Sequence, residues 1–228
     1  MPAGAASLHS ILIVPGYLGS SPEHWQSWMQ AQLPEARRVV DIDWSEPVLV
    51  QWAAAVRTQI DRSRGVVWLV AHSFGCFAAA VAASERPERV GGSLLVAPAD
   101  PDRFSPLGLR GTSGTLPAES LSSWLPERPL PGASALIAST DDPWMGFAKA
   151  AYLANRWGCL LVNAGQSGHI NVESGFGPWP QGLDMLRSLQ RAHDGMPLGP
   201  IDEERSRREP EERVLTRLRR RTRQALVP

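Results

Sequence analysis

Cysteine is scarce: Cys76 and Cys159 are the only two in 228 residues. Two thiols are too few for a disulfide framework and match no metal-ligand spacing, so no metal is expected. They read as buried free thiols in a reducing compartment, which sets the expectation of a cytoplasmic protein. No hydrophobic run approaches the roughly 18 residues that a membrane span requires, so no membrane partner is expected either. The start of the chain lacks a basic segment, and the apolar stretch Ile11 to Val14 is too short for a signal peptide. Net charge is also absent, because 23 basic and 23 acidic residues cancel. Lysine is nearly missing: Lys149 stands alone, and such an arginine bias suits a GC-rich bacterial genome. The cancellation is uneven. From Glu203 onward nine arginines face five glutamates, a balance of +4, which leaves −4 on the rest. The glutamates interleave with the arginines, so residues 195–228 read as a charged tail, helical or disordered, and no nucleic-acid partner is expected.

What remains, residues 1–194, has the length of one α/β domain with a substantial core. Apolar runs alternate with helical patterns, which argues for a three-layer αβα sandwich around a mostly parallel sheet of about six strands. The expected strands are Leu8–Val14, Arg38–Asp43, Val66–Ala71, Gly92–Ala97, Ser134–Ser139 and Cys159–Val162. Expected helices begin at Ser21-Pro-Glu23, with Ser21 as the cap, and cover Leu49–Asp61, Phe74–Ser84, Trp144–Trp157 and Gly182–Ala192. Residues 98–132 are rich in Pro, Gly and Ser and too long for a plain loop, so they are expected to cover a site.

The most informative stretch is Val66-Val-Trp-Leu-Val-Ala-His-Ser-Phe-Gly-Cys76. An apolar strand breaks into small-His-Ser-x-Gly before an Ala-rich helix, the form of a nucleophile elbow that holds a serine on a tight turn. Ala71 stands where a glycine is usual, a replacement expected to be harmless. A nucleophilic serine needs a base, a group that orients the base, and donors for the oxyanion. Ser139-Thr-Asp141-Asp142-Pro143 follows the fifth strand, and Ala164-Gly-Gln-Ser-Gly168-His169 follows the sixth. The chain order Ser, Asp, His is that of α/β-hydrolases, and parallel strands deliver all three loops to one sheet edge. Ser73, Asp142 and His169 are the expected triad. Asp141 competes for the acid role, but the residue before a proline is pushed towards extended backbone, which favours Asp142. His72 is expected to point away from the nucleophile, His24 lies in a first helical turn, and His9 and His193 lie near the ends; all four read as structural. The expected oxyanion donors are the amides of Phe74 and of Tyr17 in Pro15-Gly-Tyr-Leu-Gly-Ser20. That loop lacks the P-loop lysine and the dinucleotide spacing, so neither a nucleotide nor any other cofactor is expected.

With these residues, the chain resembles the small serine hydrolases of the α/β-hydrolase superfamily grouped as YdeN-like, with the retinoblastoma-binding-protein-type hydrolases among them. The matching pieces are Val14-Pro-Gly-Tyr-Leu-Gly-Ser20, Glu23-His-Trp-Gln-Ser-Trp28, Ala71-His-Ser-Phe-Gly75, Val96-Ala-Pro-Ala-Asp100, Ser139-Thr-Asp-Asp-Pro-Trp144 and Gly168-His169. The resemblance implies a compact hydrolase sheet, Asp142 as the acid, and an acyl-enzyme on Ser73. The tail beyond residue 194 has no counterpart in it.

The expected activity is cleavage of small esters, with amides or thioesters as further candidates, without a cofactor. The competing class is a protein-interaction module that keeps the triad with little turnover. Trp44, Phe104, Trp124, Trp144 and Met145 fall in loops at the expected site and suggest an apolar, aromatic-lined pocket. Nothing in the sequence sets an oligomeric state.

Overall fold

Buried strands explain the apolar runs. A computed structural model describes residues 9–110 and 119–196. β1 (His9–Val14), β3 (Val66–His72) and β4 (Val90–Val96) lie inside a six-stranded sheet and are almost wholly buried. The order is β2-β1-β3-β4-β7-β8, with β2 (Ala36–Arg38), β7 (Ala135–Ala138) and β8 (Leu160–Asn163), and every pairing is parallel. Central parallel strands are covered on both faces, so they read as continuous hydrophobic runs.

Alternation sorts those side chains into two cores. Leu12, Val14, Leu69, Ala71, Leu95 and Leu136 face one side, with Trp52 and Val56 of α2 (Leu49–Arg62), Phe77 of α3 (Gly75–Ser84) and Leu153 of α4 (Phe147–Arg156). Ile11, Ile13, Trp68, Val70, Leu94 and Val96 face the other, with Trp25 and Met29 of α1 (Trp25–Gln32) and Leu183 and Leu186 of α5 (Pro180–His193). The fold is the three-layer αβα sandwich.

Strand order reverses at β1. The chain leaves β1 through α1 to β2 on one side, then returns through α2 to β3 on the other. The loops after β1 and β3 therefore diverge to opposite faces, which opens a crevice at the carboxyl ends of the strands.

Several element boundaries differ from expectation for local reasons. β2 ends at Arg38, although one more bond joins the Val39 amide to the Ile13 carbonyl (3.0 Å). Asp41 then adopts φ 63° and turns the chain out, which leaves Val40 exposed despite its strand-like sequence. Ser21 does not cap α1. Its carbonyl accepts from the His24 amide in a preceding turn, and His24 is the cap, its Nδ1 accepting from the Gln26 amide at 3.1 Å. α4 starts at Phe147 rather than Trp144, because Asp142 Oδ1 accepts the Trp144 amide and keeps this stretch as a loop.

Within residues 98–132 the described parts contain a 3-10 turn (Pro101–Arg103), a hairpin of β5 (Phe104–Ser105) and β6 (Gly108–Leu109), and a second 3-10 turn (Leu121–Trp124). Phe104, Leu121, Leu125 and Leu130 are buried in the core that holds α2, α3 and α4. Lys149 of α4 bonds both carboxylate oxygens of Asp100, at 2.7 and 2.9 Å, and so ties this segment down. Residues 111–118 of the cover, residues 197–228 of the tail, and Leu8 at the start of the first strand lie outside the described residues. Among the described residues, no helix is long and apolar enough to cross a membrane.

Candidate active site

The turn between β3 and α3 sets the position of Ser73. Ser73 has φ 53°, left-handed backbone that costs a residue with a side chain about 1–2 kcal/mol. The turn is held by the Ser73 amide bonding Val96 O at 3.1 Å and the Cys76 amide bonding Ser73 O at 3.0 Å. Tight packing follows. A Cβ on Gly75 would lie 2.2 Å from Pro15 O, and one on Gly16 would lie 2.7 Å from Ser73 Cβ. The need for glycine therefore falls at positions 16 and 75, whereas the Ala71 methyl is accommodated in the core beside Val14 and Leu95.

Two further loops, after β7 and β8, are tied together. Thr140 N bonds Gly165 O (2.8 Å), Ser167 N bonds Ser139 Oγ (2.9 Å), and Gly168 N bonds Asp141 Oδ1 (2.7 Å). Positive φ at Gly165, Gly168 and Ile170 lets the second loop curl back over the sheet edge. These bonds bring His169 to Ser73, with Nε2 2.9 Å from Oγ. His169 Nδ1 lies 2.9 Å from both oxygens of Asp142. A carboxylate only accepts, so Nδ1 carries the ring proton, and in the neutral ring Nε2 accepts from the serine hydroxyl. The adjacent carboxylates are thereby separated: Asp142 faces the imidazole, whereas Asp141 accepts from Ser139 Oγ and the Gly168 amide.

The Tyr17 amide, on the loop after β1, and the Phe74 amide, after the serine, donate to no acceptor among the described residues. The neighbouring amides are occupied: Leu18 N bonds Trp44 O (2.8 Å) and Gly19 N bonds Gly16 O (2.9 Å). A site that stabilises an oxyanion presents uncommitted donors of this kind.

Ser73 and His169 open onto a cleft of about 360 Å³. Of the five residues expected to line it, Phe104 and Trp144 do; Trp144 packs beside His169 with ring centres 6.0 Å apart. The other three lie elsewhere. Met145 is buried in the core, Trp44 packs on Trp52 (4.9 Å) and beneath Gly19, and Trp124 is half exposed on the second 3-10 turn. Among the described residues, no three His, Cys, Asp or Glu side chains are grouped to hold a metal. Burial raises the Cys159 thiol to about 12 and holds the Cys76 thiol higher still.

His24 and His72 line the same cleft, a correction to the reading that set both aside. His72 follows Trp68 and Val70 by steps of two, so alternation along β3 carries it to the α1 side, a signal present in the sequence. Its ring lies 4.9 Å from both His24 and His169, and its Nε2 donates to the His169 carbonyl at 2.9 Å. Burial, more than the neighbouring imidazoles, holds His72 well below its ordinary value of 6.5. Burial and then the Arg38 charge push His24 down to about 4.

The shift at His24 has a stability consequence. Between pH 6.5 and 4 the unfolded chain binds a proton at this residue that the folded chain does not. Its contribution is therefore complete above pH 6.5 and drains away as pH falls towards 4. From His24 alone, urea unfolding is expected to show a loss of about 2 kcal/mol between pH 7.5 and pH 5. His24→Asn should remove that part of the slope; an unchanged slope in the variant would contradict the assignment.

The sequence model of a family described as serine hydrolase matches residues 11–188. The Bacillus subtilis (strain 168) protein YdeN is 26% identical over 192 residues, covering 78% of this chain and 94% of its own. A solved YdeN-like structure from Pectobacterium atrosepticum is 33% identical, with TM-score 0.71, covering 83% of this chain and 93% of that one. The solved ydeN product of B. subtilis shares the fold at TM-score 0.60 and 24% identity, covering 80% and 98% of the two chains.

Proposed function

The chain belongs to the serine hydrolase family, in its YdeN-like branch, and we propose that it cleaves small esters through an acyl-enzyme on Ser73. One observation carries this reading: His169 bridges Ser73 Oγ and the Asp142 carboxylate at hydrogen-bonding distance, at the floor of an open cleft. As Ser73 Oγ attacks the ester carbonyl carbon, His169 Nε2 takes its proton. The carbonyl oxygen becomes an oxyanion and accepts from the Tyr17 and Phe74 amides. His169 then returns the proton to the departing alcohol oxygen as the C–O bond breaks. Water repeats the sequence on the acyl-enzyme, and the carboxylic acid leaves. Asp142 holds the imidazole in the required tautomer and stabilises its cation throughout. Thioesters and amides fit the same steps, the amide being slower because its amine leaves less readily. The aromatic lining by Phe104 and Trp144 supports a small acyl or alcohol group.

A panel of p-nitrophenyl esters, with thioester and anilide analogues, tests this. Turnover of the esters is expected, with kcat/KM rising to a plateau as one group loses its proton. Folded protein inert towards every member would overturn the proposal in favour of a binding module.

A further inference from the structure

Three imidazoles border the cleft, and two have committed their donors. His169 gives its Nδ1 proton to Asp142, and His72 gives its Nε2 proton to the His169 carbonyl. His24 differs. Its Nδ1 accepts from the Gln26 amide, so in the neutral ring the proton sits on Nε2. Only 5% of His24 is exposed, yet Nε2 is not sealed in the protein: the residue lines the cleft, and Nε2 donates to no group among the described residues. Its depressed pKa keeps the ring neutral near pH 7, so this donor is permanent there.

Polar side chains share the cleft with His24. Ser21, Asn171 and Glu173 line the cleft with it, on two segments that pack together. Trp25 Nε1 donates to Ile170 O at 2.9 Å, and a Cβ on Gly177 would lie 3.3 Å from Glu23 O. The aromatic part of the lining, Tyr17, Phe104 and Trp144, comes from other segments. Beyond the two amides assigned to the oxyanion, the cleft therefore offers a substrate a further buried N–H, held in place by the helix cap.

We propose that His24 Nε2–H binds an oxygen acceptor of the substrate, so that the enzyme selects esters with an ether, hydroxyl or carbonyl oxygen near the scissile bond over their hydrocarbon isosteres. The assignment rests on Ser73 being the nucleophile. An apolar group entering the cleft shuts this N–H off from solvent and leaves the donor unpaired, and sites with such donors reject analogues lacking the acceptor. The structure leaves two positions for the oxygen, the acyl or the alcohol side, and the substrates separate them.

The test compares two isosteric pairs. p-Nitrophenyl methoxyacetate against p-nitrophenyl butyrate probes the acyl side; 2-methoxyethyl butyrate against butyl butyrate probes the alcohol side. Each kcat/KM ratio is divided by the same ratio for alkaline hydrolysis, which removes intrinsic reactivity. One corrected ratio is expected to reach about ten, mostly through KM. In His24→Asn that ratio should fall towards one. Asparagine can still accept the Gln26 amide and cap α1, so the thermal midpoint should stay within about 2 °C. Corrected ratios of one for both pairs in the unmodified protein overturn the proposal, as does a ratio that survives His24→Asn. If the variant fails to fold, the unmodified protein's ratios still decide. The underlying reading fails differently: none of the four esters is then cleaved, and Ser73 takes no phosphonate.

Discussion

Ser73→Ala is expected to lower kcat on p-nitrophenyl esters by about 10⁵- to 10⁶-fold while leaving the fold intact. Both halves of that expectation come from the turn. Ser73 sits at φ 53° whether or not Oγ is present, and alanine meets the same backbone strain that serine already bears. The serine Cβ lies against Gly16, and alanine adds no atom there. The substitution therefore removes one oxygen and its bond to His169 Nε2, with little to disturb packing. What it removes chemically is the hydroxyl placed on the imidazole. The Tyr17 and Phe74 amides would remain and could still stabilise attack by water, which sets the small residual rate. A loss of only tenfold, in protein with an unchanged thermal midpoint, would mean that turnover does not pass through Ser73.

Asp142→Asn is expected to cost about 10⁴-fold in kcat, and Asp141→Asn no more than about tenfold. The two residues are chemically identical neighbours, so the difference rests on what each oxygen touches. Asp142 accepts from His169 Nδ1 with both oxygens at 2.9 Å and is almost fully buried. An asparagine there offers an amide that can donate to the ring, which favours the tautomer with the proton on Nε2 and blocks removal of the serine proton. It also withdraws the negative charge that stabilises the imidazolium. Asp141 instead accepts from Ser139 Oγ and the Gly168 amide through Oδ1, at 2.7 Å each. The carbonyl oxygen of asparagine can keep those bonds, so the loop that carries His169 should hold its shape. Steady-state kcat for both variants decides the matter. Equal losses, or the reverse order, would contradict the division of roles.

The framework of this site was legible because its signals are local. Val66 to Ala71 is apolar throughout and breaks into His72-Ser-Phe-Gly75, and Asp142 and His169 each lie in the loop that follows a strand. Pro143 pointed, through backbone preference alone, to the carboxylate that lies on the His169 ring. Less was legible where placement depends on contacts distant in sequence. Trp44, Met145 and Trp124 sit in loops near the sheet edge, yet Trp44 packs on Trp52 and Met145 enters the core. Neither partner is implied by its neighbours in sequence. β2 failed differently: Val40 to Asp43 alternates like a strand, but the pairing stops after Val39 and Asp41 takes left-handed backbone. His24 was hidden by its own sequence context, since Ser21-Pro-Glu23 is the stronger helix-start signal. His72 could have been placed, because alternation from Trp68 and Val70 carries it to the face where α1 lies.

The central claim is that Ser73 is the nucleophile and that His169 makes it one. Its most direct test is reaction of the folded protein with diethyl p-nitrophenyl phosphate, followed by intact-mass analysis and peptide mapping. A single diethylphosphoryl adduct on Ser73 is predicted, absent in Ser73→Ala and formed far more slowly in His169→Ala. No adduct on folded protein, or an adduct on another residue with Ser73 unmodified, would contradict the account.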